Sequence, residues 1–164
     1  MALPSKILPG FSAAMYAQPS ATPTALTLAQ LSTLGNVSGI AISGNLMNIE
    51  AIPAFGQDDA VASFTVAGSR QSDKIPSQSA PTSMTITAAW NPSDTVLLQV
   101  RTDAYSGVTE RTYVISATDG TNIVYYAFNA RVSEWQIDSA PGAEAKAMFS
   151  LHPRGNMYGW SNNA

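Results

Sequence analysis

Alternating apolar and polar residues predict that most of the chain forms β-strands. The clearest run is 83–90 (SMTITAAW), in which Met84, Ile86 and Ala88 face one way and the residues between them face the other. This period of two is typical of a strand with one buried face. Further strands are predicted at 11–18, 46–52, 111–116, 122–132 and 145–151.

One stretch has a different spacing, which favours a helix over about 91–106. Its apolar residues recur at helical intervals, whereas Gln99, Arg101 and Asp103 fall on the outward side. The β-branched residues in this stretch weaken the helix by only a few tenths of a kcal/mol each. The predicted buried stripe consists of Val96, Leu97, Val100 and Ala104.

Signals for the ends of this helix flank it on both sides. Asn91 or Ser93 is the expected N-cap, and Asp94 lies where the helix dipole favours an anion. Ser106 and Gly107 are expected to end the helix. A single helix among strands indicates a mainly β fold.

Three stretches have too little apolar pattern to form a core of their own. Residues 1–45 are predicted as an N-terminal strand and an arm, with 19–45 the extended part and a short helix or turn at 27–34. Residues 53–82 are read as a long projecting loop, either a hairpin or a flap, and 152–164 as a C-terminal arm. The core strands and the helix occupy 83–151, so the 164 residues are predicted to form a single domain.

The low charge of the chain changes the picture of its surface. Only 12 % of its residues are charged, against roughly a quarter in average soluble domains. Such a surface has room for partner contacts and indicates an assembly subunit. The net charge of −3, without a basic cluster, argues against phosphate neutralisation as the main role. Neither a signal peptide nor an apolar run near the roughly 20 residues of a membrane span is found, so we expect a soluble protein made in a cytoplasm.

Candidate catalytic groups are few, and we expect neither an enzyme nor a cofactor or metal site. His152 is the only histidine and no glycine-flanked nucleophile motif accompanies it, so a surface or interface role is favoured over a catalytic triad. The paired acids Asp58-Asp59 and Glu134/Asp138 are the nearest approach to a glycosidase pair. Solvated charge is the more common role of adjacent acids on a loop. There is no cysteine to ligate a metal.

The order of these elements resembles the major tail tube protein of long-tailed (siphovirus-type) bacteriophages. The resemblance is carried best by residues 84–132 (MTITAAWNPSDTVLLQVRTDAYSGVTERTYVISATDGTNIVYYAFNARV), where a strand reaches NPSD, a helix follows, and two strands return around Asp119-Gly120. The earlier stretch GNLMNIEAIPAF…VAGSRQSDKIPSQ is similar to that family's strand and long loop. The similarity covers most of the chain as architecture, without a short diagnostic motif.

The resemblance implies a β-sandwich or rolled barrel with one flanking helix. Subunits of this family form six-membered rings that stack into a tube, whose lumen passes viral DNA without specific binding. It also implies, as partners, further copies of the chain and the tape-measure, tail-terminator and distal-tail proteins, with no membrane involved. The expected location is the virion tail, after assembly in the cytoplasm of the host bacterium. Which acidic residues face the lumen is not fixed by the strand pattern.

Contacts between subunits are therefore the expected roles of particular side chains. The loop 53–82 and both arms are predicted to touch neighbours, with charge pairs between rings supplied by the loop. Rival readings are the tube of a contractile secretion apparatus, another virion or fimbrial subunit, a carbohydrate-binding β-sandwich using Trp135 or Trp160, and an enzyme of unknown type. The interface candidates are Asp58, Asp59, Arg70, Asp73, Lys74, Arg131, Glu134, Lys146, Tyr158 and Trp160.

Overall fold

The computed structural model describes residues 12–19, 46–65, 72–118 and 123–161. Its strands and helix follow one another in the order of the chain. They are β1 (Ser12–Ala17), β2 (Leu46–Met47), β3 (Gln57–Thr65), β4 (Ser72–Pro81), β5 (Met84–Ala89), α1 (Thr95–Ser106), β6 (Glu110–Thr118), β7 (Ile123–Asp138) and β8 (Lys146–Ser161). The predicted mainly β fold with one flanking helix is confirmed for the described residues. The possible helix or turn at 27–34 lies outside them.

Six strands form one antiparallel sheet in the order β2-β1-β6-β7-β8-β5. The sheet curls into a half-barrel, which is the rolled alternative of the predicted architecture. Residues 46–50 join its two edges, since Met47 pairs with Met15 of β1 while Ile49 bridges Ala88 of β5. The predicted strand over 46–52 is thus shorter than expected, because only Leu46 and Met47 pair with β1 and Ile49 already bridges β5.

One face of the sheet forms the core beneath the helix. The alternation predicted for β5 is confirmed, with Met84, Ile86 and Ala88 fully buried. Residues on the same face of the other strands join them. The largest fully buried side chains are Tyr113, Phe128, Phe149, Met15, Met47, Met84, Ile86, Leu97, Ile115 and Leu151.

The helix has the predicted stripe but a different N-cap. Asp94 is the cap, and its carboxylate accepts hydrogen bonds from the backbone N–H groups of Val96 and Leu97 at 2.9 and 3.2 Å. Asn91 instead accepts from the N–H of Ser93 in the preceding turn. At the other end Gly107 adopts a left-handed φ of 66° and donates to the carbonyl of Asp103, as the sequence predicted for this stop.

The stretch 53–82 is a hairpin with its own two-stranded sheet. Strands β3 and β4 pair antiparallel, and the backbone N–H of Thr82 donates to the carbonyl of Gly56 at 3.0 Å at its base. Of the two alternatives for this stretch, the structure therefore has the hairpin. The description of this stretch as a long loop is too broad, because residues 57–65 and 72–81 form two strands that pair with each other.

The predicted arm at 152–164 is corrected for residues 152–161, which continue β8. The segment containing Pro153 and Gly155 reads as a strand end, yet Pro153 is buried opposite Ala130. Gly155, at a φ of 72°, lies in an irregularity where β8 has extra residues between the partners of Ala127 and Asn129. The glycine thus makes a bulge within the strand and does not end it.

Replacing Asp94 with alanine tests the observed cap against the predicted one. Loss of the two capping hydrogen bonds should lower the free energy of unfolding by about 1 kcal/mol. The matched control is Ser93→Ala, which removes the capping candidate that makes no side-chain bond to α1 among the described contacts. Urea denaturation measures both variants, and a larger loss for Ser93→Ala would refute the assignment.

Candidate functional site

A buried ion pair joins the helix to the sheet on the core face. The guanidinium of Arg111 in β6 contacts both carboxylate oxygens of Asp103 in α1, at 2.6 Å from Nε and 3.0 Å from Nη2. Both side chains are about 95 % buried. The prediction that Asp103 faces solvent is therefore wrong. The helical period in fact places position 103 on the buried side of the helix. The partner that makes burial of its charge possible, Arg111, lies eight residues later, on β6.

The same arginine also holds the chain where it leaves β1. Its Nη1 donates to the carbonyl oxygens of Gln18 and Pro19, each at 2.7 Å. Every donating nitrogen of the fork therefore has an acceptor, which a buried charge requires. The end of β1 is thus held by the same residue that anchors the helix.

Tyr113 lies beside this pair in the centre of the core. Burial, and next the nearby Asp103, raise the pKa of its hydroxyl far above its usual value. Its Oη has no hydrogen-bond partner among the described groups. The tyrosine is thus neutral and serves packing, stacked on Phe128 with ring centroids 6.0 Å apart.

The opposite side of the sheet, here called the outer face, carries several further charged residues. In β6, Arg111, Tyr113 and Ile115 point to the core, so the alternate residues Glu110, Thr112 and Val114 point to the outer face. Glu110 is paired in register with Arg131 of β7. Its Oε2 lies 3.0 Å from Nη1 of Arg154 and 3.9 Å from Nε of Arg131. One carboxylate therefore serves two arginines.

The other described cation of the outer face is also paired. Lys146 forms a salt bridge with Glu50 of the segment that joins the sheet edges. The hydrogen bond to Glu50, and next its charge, raise the pKa of Lys146 above its usual value. Each basic side chain described on this face thus has a carboxylate beside it. The interface candidates Arg131 and Lys146 are engaged within the subunit.

Glu134, another interface candidate, lies in a second bulge, where β7 has two residues opposite one of β8. It has a φ of 60°, which is uncommon for a residue with a side chain, and its carboxylate accepts from the hydroxyl of Ser150 at 2.7 Å. The next residue, Trp135, packs against the core, stacked on Phe149 at 5.6 Å and edge-to-face with Trp90 at 5.6 Å. This packing against the core argues against Trp135 as a sugar platform.

The remaining interface candidates lie on the hairpin and at the end of β8. Asp58 is exposed on β3, and the backbones of Asp59, Asp73 and Lys74 belong to the two hairpin strands. Arg70 lies outside the described residues. In β8, Tyr158 is half-buried opposite Ala127, and Trp160 is paired with Tyr125 through its backbone. The structure does not bring the hairpin candidates and the β8 candidates into one described cluster.

His152 is exposed and lies between two serines of the outer face. Its Nδ1 is 3.0 Å from the hydroxyl of Ser83, and its Nε2 is 2.7 Å from the hydroxyl of Ser133. A catalytic triad places a carboxylate at one ring nitrogen and a serine at the other. Here a hydroxyl takes each position, so the geometry supports the surface role expected for this histidine.

In the described part of the chain, no three metal-ligating side chains cluster, and no helix is long and apolar enough to cross a membrane. An apolar cavity of about 350 Å³ opens where the core face extends beyond the helix. It is lined by Ala13, Ile52, Phe55, Ile115, Ala117, Val124 and Tyr126.

Comparison with known proteins finds similarity in structure alone. No family model matches the chain, and no curated protein matches its sequence. The sheath/tube terminator of the PVC extracellular contractile injection system, in its extended state, aligns with a TM-score of 0.65 and 13 % identity, covering 95 % of this chain and 98 % of that one. The sheath-tube complex of the same system gives 0.63 and 13 %, covering 95 % and 93 %.

The tail tube of phage SPP1 is a third similar structure. It aligns with a TM-score of 0.54 and 12 % identity, covering 93 % of this chain and 77 % of that one. The fold inferred from residues 84–132 is therefore confirmed: the chain has the fold of phage tail tube-type proteins. That fold is shared with tubes of contractile injection systems.

The buried ion pair predicts a large effect of breaking one side of it. Arg111→Met should lower the free energy of unfolding by about 3–5 kcal/mol, because Asp103 would remain buried without a counter-charge. Chemical denaturation of the variant measures this loss. The double variant Arg111→Met with Asp103→Leu should lose less than the sum of the two single variants, and strict additivity would contradict the coupling.

Proposed function

We propose that this protein is a structural subunit that assembles with copies of itself into a tube of the phage-tail or injection-system type. The observation that carries the proposal is the likeness to tube proteins, which spans nearly the whole of this chain and of the terminator and sheath-tube chains. A structural role without catalysis agrees with the position of His152 between two hydroxyl groups.

Open strand edges support assembly. Segment 46–50 pairs with β1 only at Met15 and Tyr16, so within the described chain residues 12–14 have a strand partner on one side only. Unpaired backbone groups at an edge invite a strand from another chain. The apolar cavity lies at this same end of β1, through Ala13. One neighbouring subunit could therefore cover both the unpaired edge of β1 and the apolar cavity.

We further propose that the tube is built of six-membered rings and conducts nucleic acid in a virion tail. Tape-measure, tail-terminator and distal-tail proteins would be its partners, with assembly in the host cytoplasm. The outer face supports a conduit, because its described cations are all paired with carboxylates. Carboxylates beside these cations weaken the phosphate contacts that would slow a passing duplex.

A tube of a contractile injection apparatus is the second candidate. Its support is specific, since the two injection-system chains align with higher TM-scores and over more of their own length than the SPP1 tail tube. A carbohydrate-binding module has less support, because Trp135, one of the two platform candidates, packs in the core.

Electron microscopy of the purified protein in negative stain, over a concentration series, tests tube formation. Rings or hollow tubes with a central channel are the expected result, and counting subunits in end views tests the six-fold proposal. A monomer at every concentration, which also fails to add to preformed tail or injection-tube initiators, would refute the proposal.

Removal of the β3–β4 hairpin should abolish tubes and leave the subunit folded. The hairpin forms its own sheet, and Gly56 and Thr82 meet at its base, so a short Gly-Ser turn can replace 57–81. Circular dichroism and thermal melting check the fold, and microscopy checks assembly. Normal tubes without the hairpin would show that it makes no essential contact between subunits.

A further inference from the structure

The cluster of Glu110, Arg131 and Arg154 has more positive than negative charge. Oε2 of Glu110 lies 3.0 Å from Nη1 of Arg154 and 3.9 Å from Nε of Arg131. The arginine side chains are 41 % and 54 % exposed, whereas that of Glu110 is 22 % exposed. Both arginine side chains are therefore partly exposed, although Nε of Arg131 is buried, and a more shielded carboxylate lies between them.

Stability does not account for this arrangement. Ion pairs between largely exposed side chains contribute little to stability, because water screens them and the side chains lose freedom. Nε of Arg131 also lacks a hydrogen-bond partner among the described groups. The charges are better explained by what the outer face meets.

The neighbourhood of the two arginines has the chemistry of a phosphate-binding surface. A shallow cavity of about 290 Å³ adjoins Arg154 and is lined also by Asn129, Gly155, Asn156 and Tyr158. On the other side, His152 is in register with Arg131 and holds the hydroxyls of Ser83 and Ser133. Guanidinium, hydroxyl and amide groups are the usual donors to nucleic-acid phosphates.

We propose that Arg131 and Arg154 form a phosphate-binding surface for duplex nucleic acid, and that Glu110 holds it in a weakly binding state. The carboxylate occupies the position between the guanidinium groups that a phosphate oxygen would take. Removing its charge frees two cations at once, since both depend on the same group. In the proposed conduit, nucleic acid would touch this surface without adhering to it. This role in the assembled tube rests on the proposed function.

The test is DNA binding by Glu110→Gln, which removes the charge and keeps the shape. Fluorescence anisotropy with a labelled duplex of mixed sequence, at low salt, should show binding about tenfold or more tighter than that of the unchanged protein. The logarithm of the binding constant should also fall more steeply with the logarithm of salt concentration. The slope should change by about two, because each phosphate contact adds roughly 0.9.

Two control variants separate the local effect from net charge. Glu144→Gln makes the same change in net charge on an exposed loop residue and should leave binding unchanged. Glu110→Gln combined with Arg131→Gln and Arg154→Gln should return binding to the original level. Equal binding by the Glu110 and Glu144 variants would overturn the proposal, as would a triple variant that keeps the gain.

Folding and assembly are read separately. Thermal melting confirms that each variant is folded, and Glu110→Ala provides a second removal of the charge should the amide prove unsuitable. Microscopy of the same samples reports tubes independently of DNA binding. Tubes without a gain in binding overturn only the role of Glu110, whereas a gain in binding by a protein that neither forms tubes nor adds to preformed initiators overturns only the proposed assembly.

Discussion

A buried charge pair fixes how the only described helix lies on the sheet. Arg111 and Asp103 are both almost fully buried, and such a pair is tolerated only when its geometry is complete. Completion comes from the carbonyls of Gln18 and Pro19, so the helix, β6 and the end of β1 must all be in place together. The pair thus selects one arrangement of three elements that apolar contacts alone would leave less determined.

This arrangement divides the sheet into two faces with different tasks. The helix covers the face that holds Tyr113, Phe128 and Phe149, and this side becomes the core. The outer face has no helix over it among the described residues, and it is mixed: Thr112 and Val114 are buried, whereas Arg131 and Arg154 are partly exposed. Its cations are paired with carboxylates, as at Lys146 and Glu50. Several of the few charged residues of the chain therefore lie on the outer face.

The sequence predicted well the features that depend on local periodicity. The strand at 83–90, the apolar stripe of the helix and its end at Gly107 all follow from spacing within one element, and the structure confirms them. The N-cap was wrong, because Asn91, Ser93 and Asp94 have suitable side chains and only the backbone path decides which one reaches the free N–H groups. Burial of Asp103 was missed although the helical period puts it beside Val96 and Val100, because a charge normally indicates solvent and its partner Arg111 lies on a strand.

The end of β8 shows what pattern alone could not resolve. Pro153 and Gly155 normally mark a strand end, yet β7 is long enough to pair on both sides of the bulge that Gly155 makes possible. Pairing with β7 thus determines that β8 continues past Gly155. The same holds for the charges of the outer face, where Glu110, Arg131 and Arg154 are 21 and 23 residues apart along the chain but adjacent across β6, β7 and β8. Because a β-sheet assembles its surface from separated segments, its function is encoded in the register between strands more than in any continuous motif.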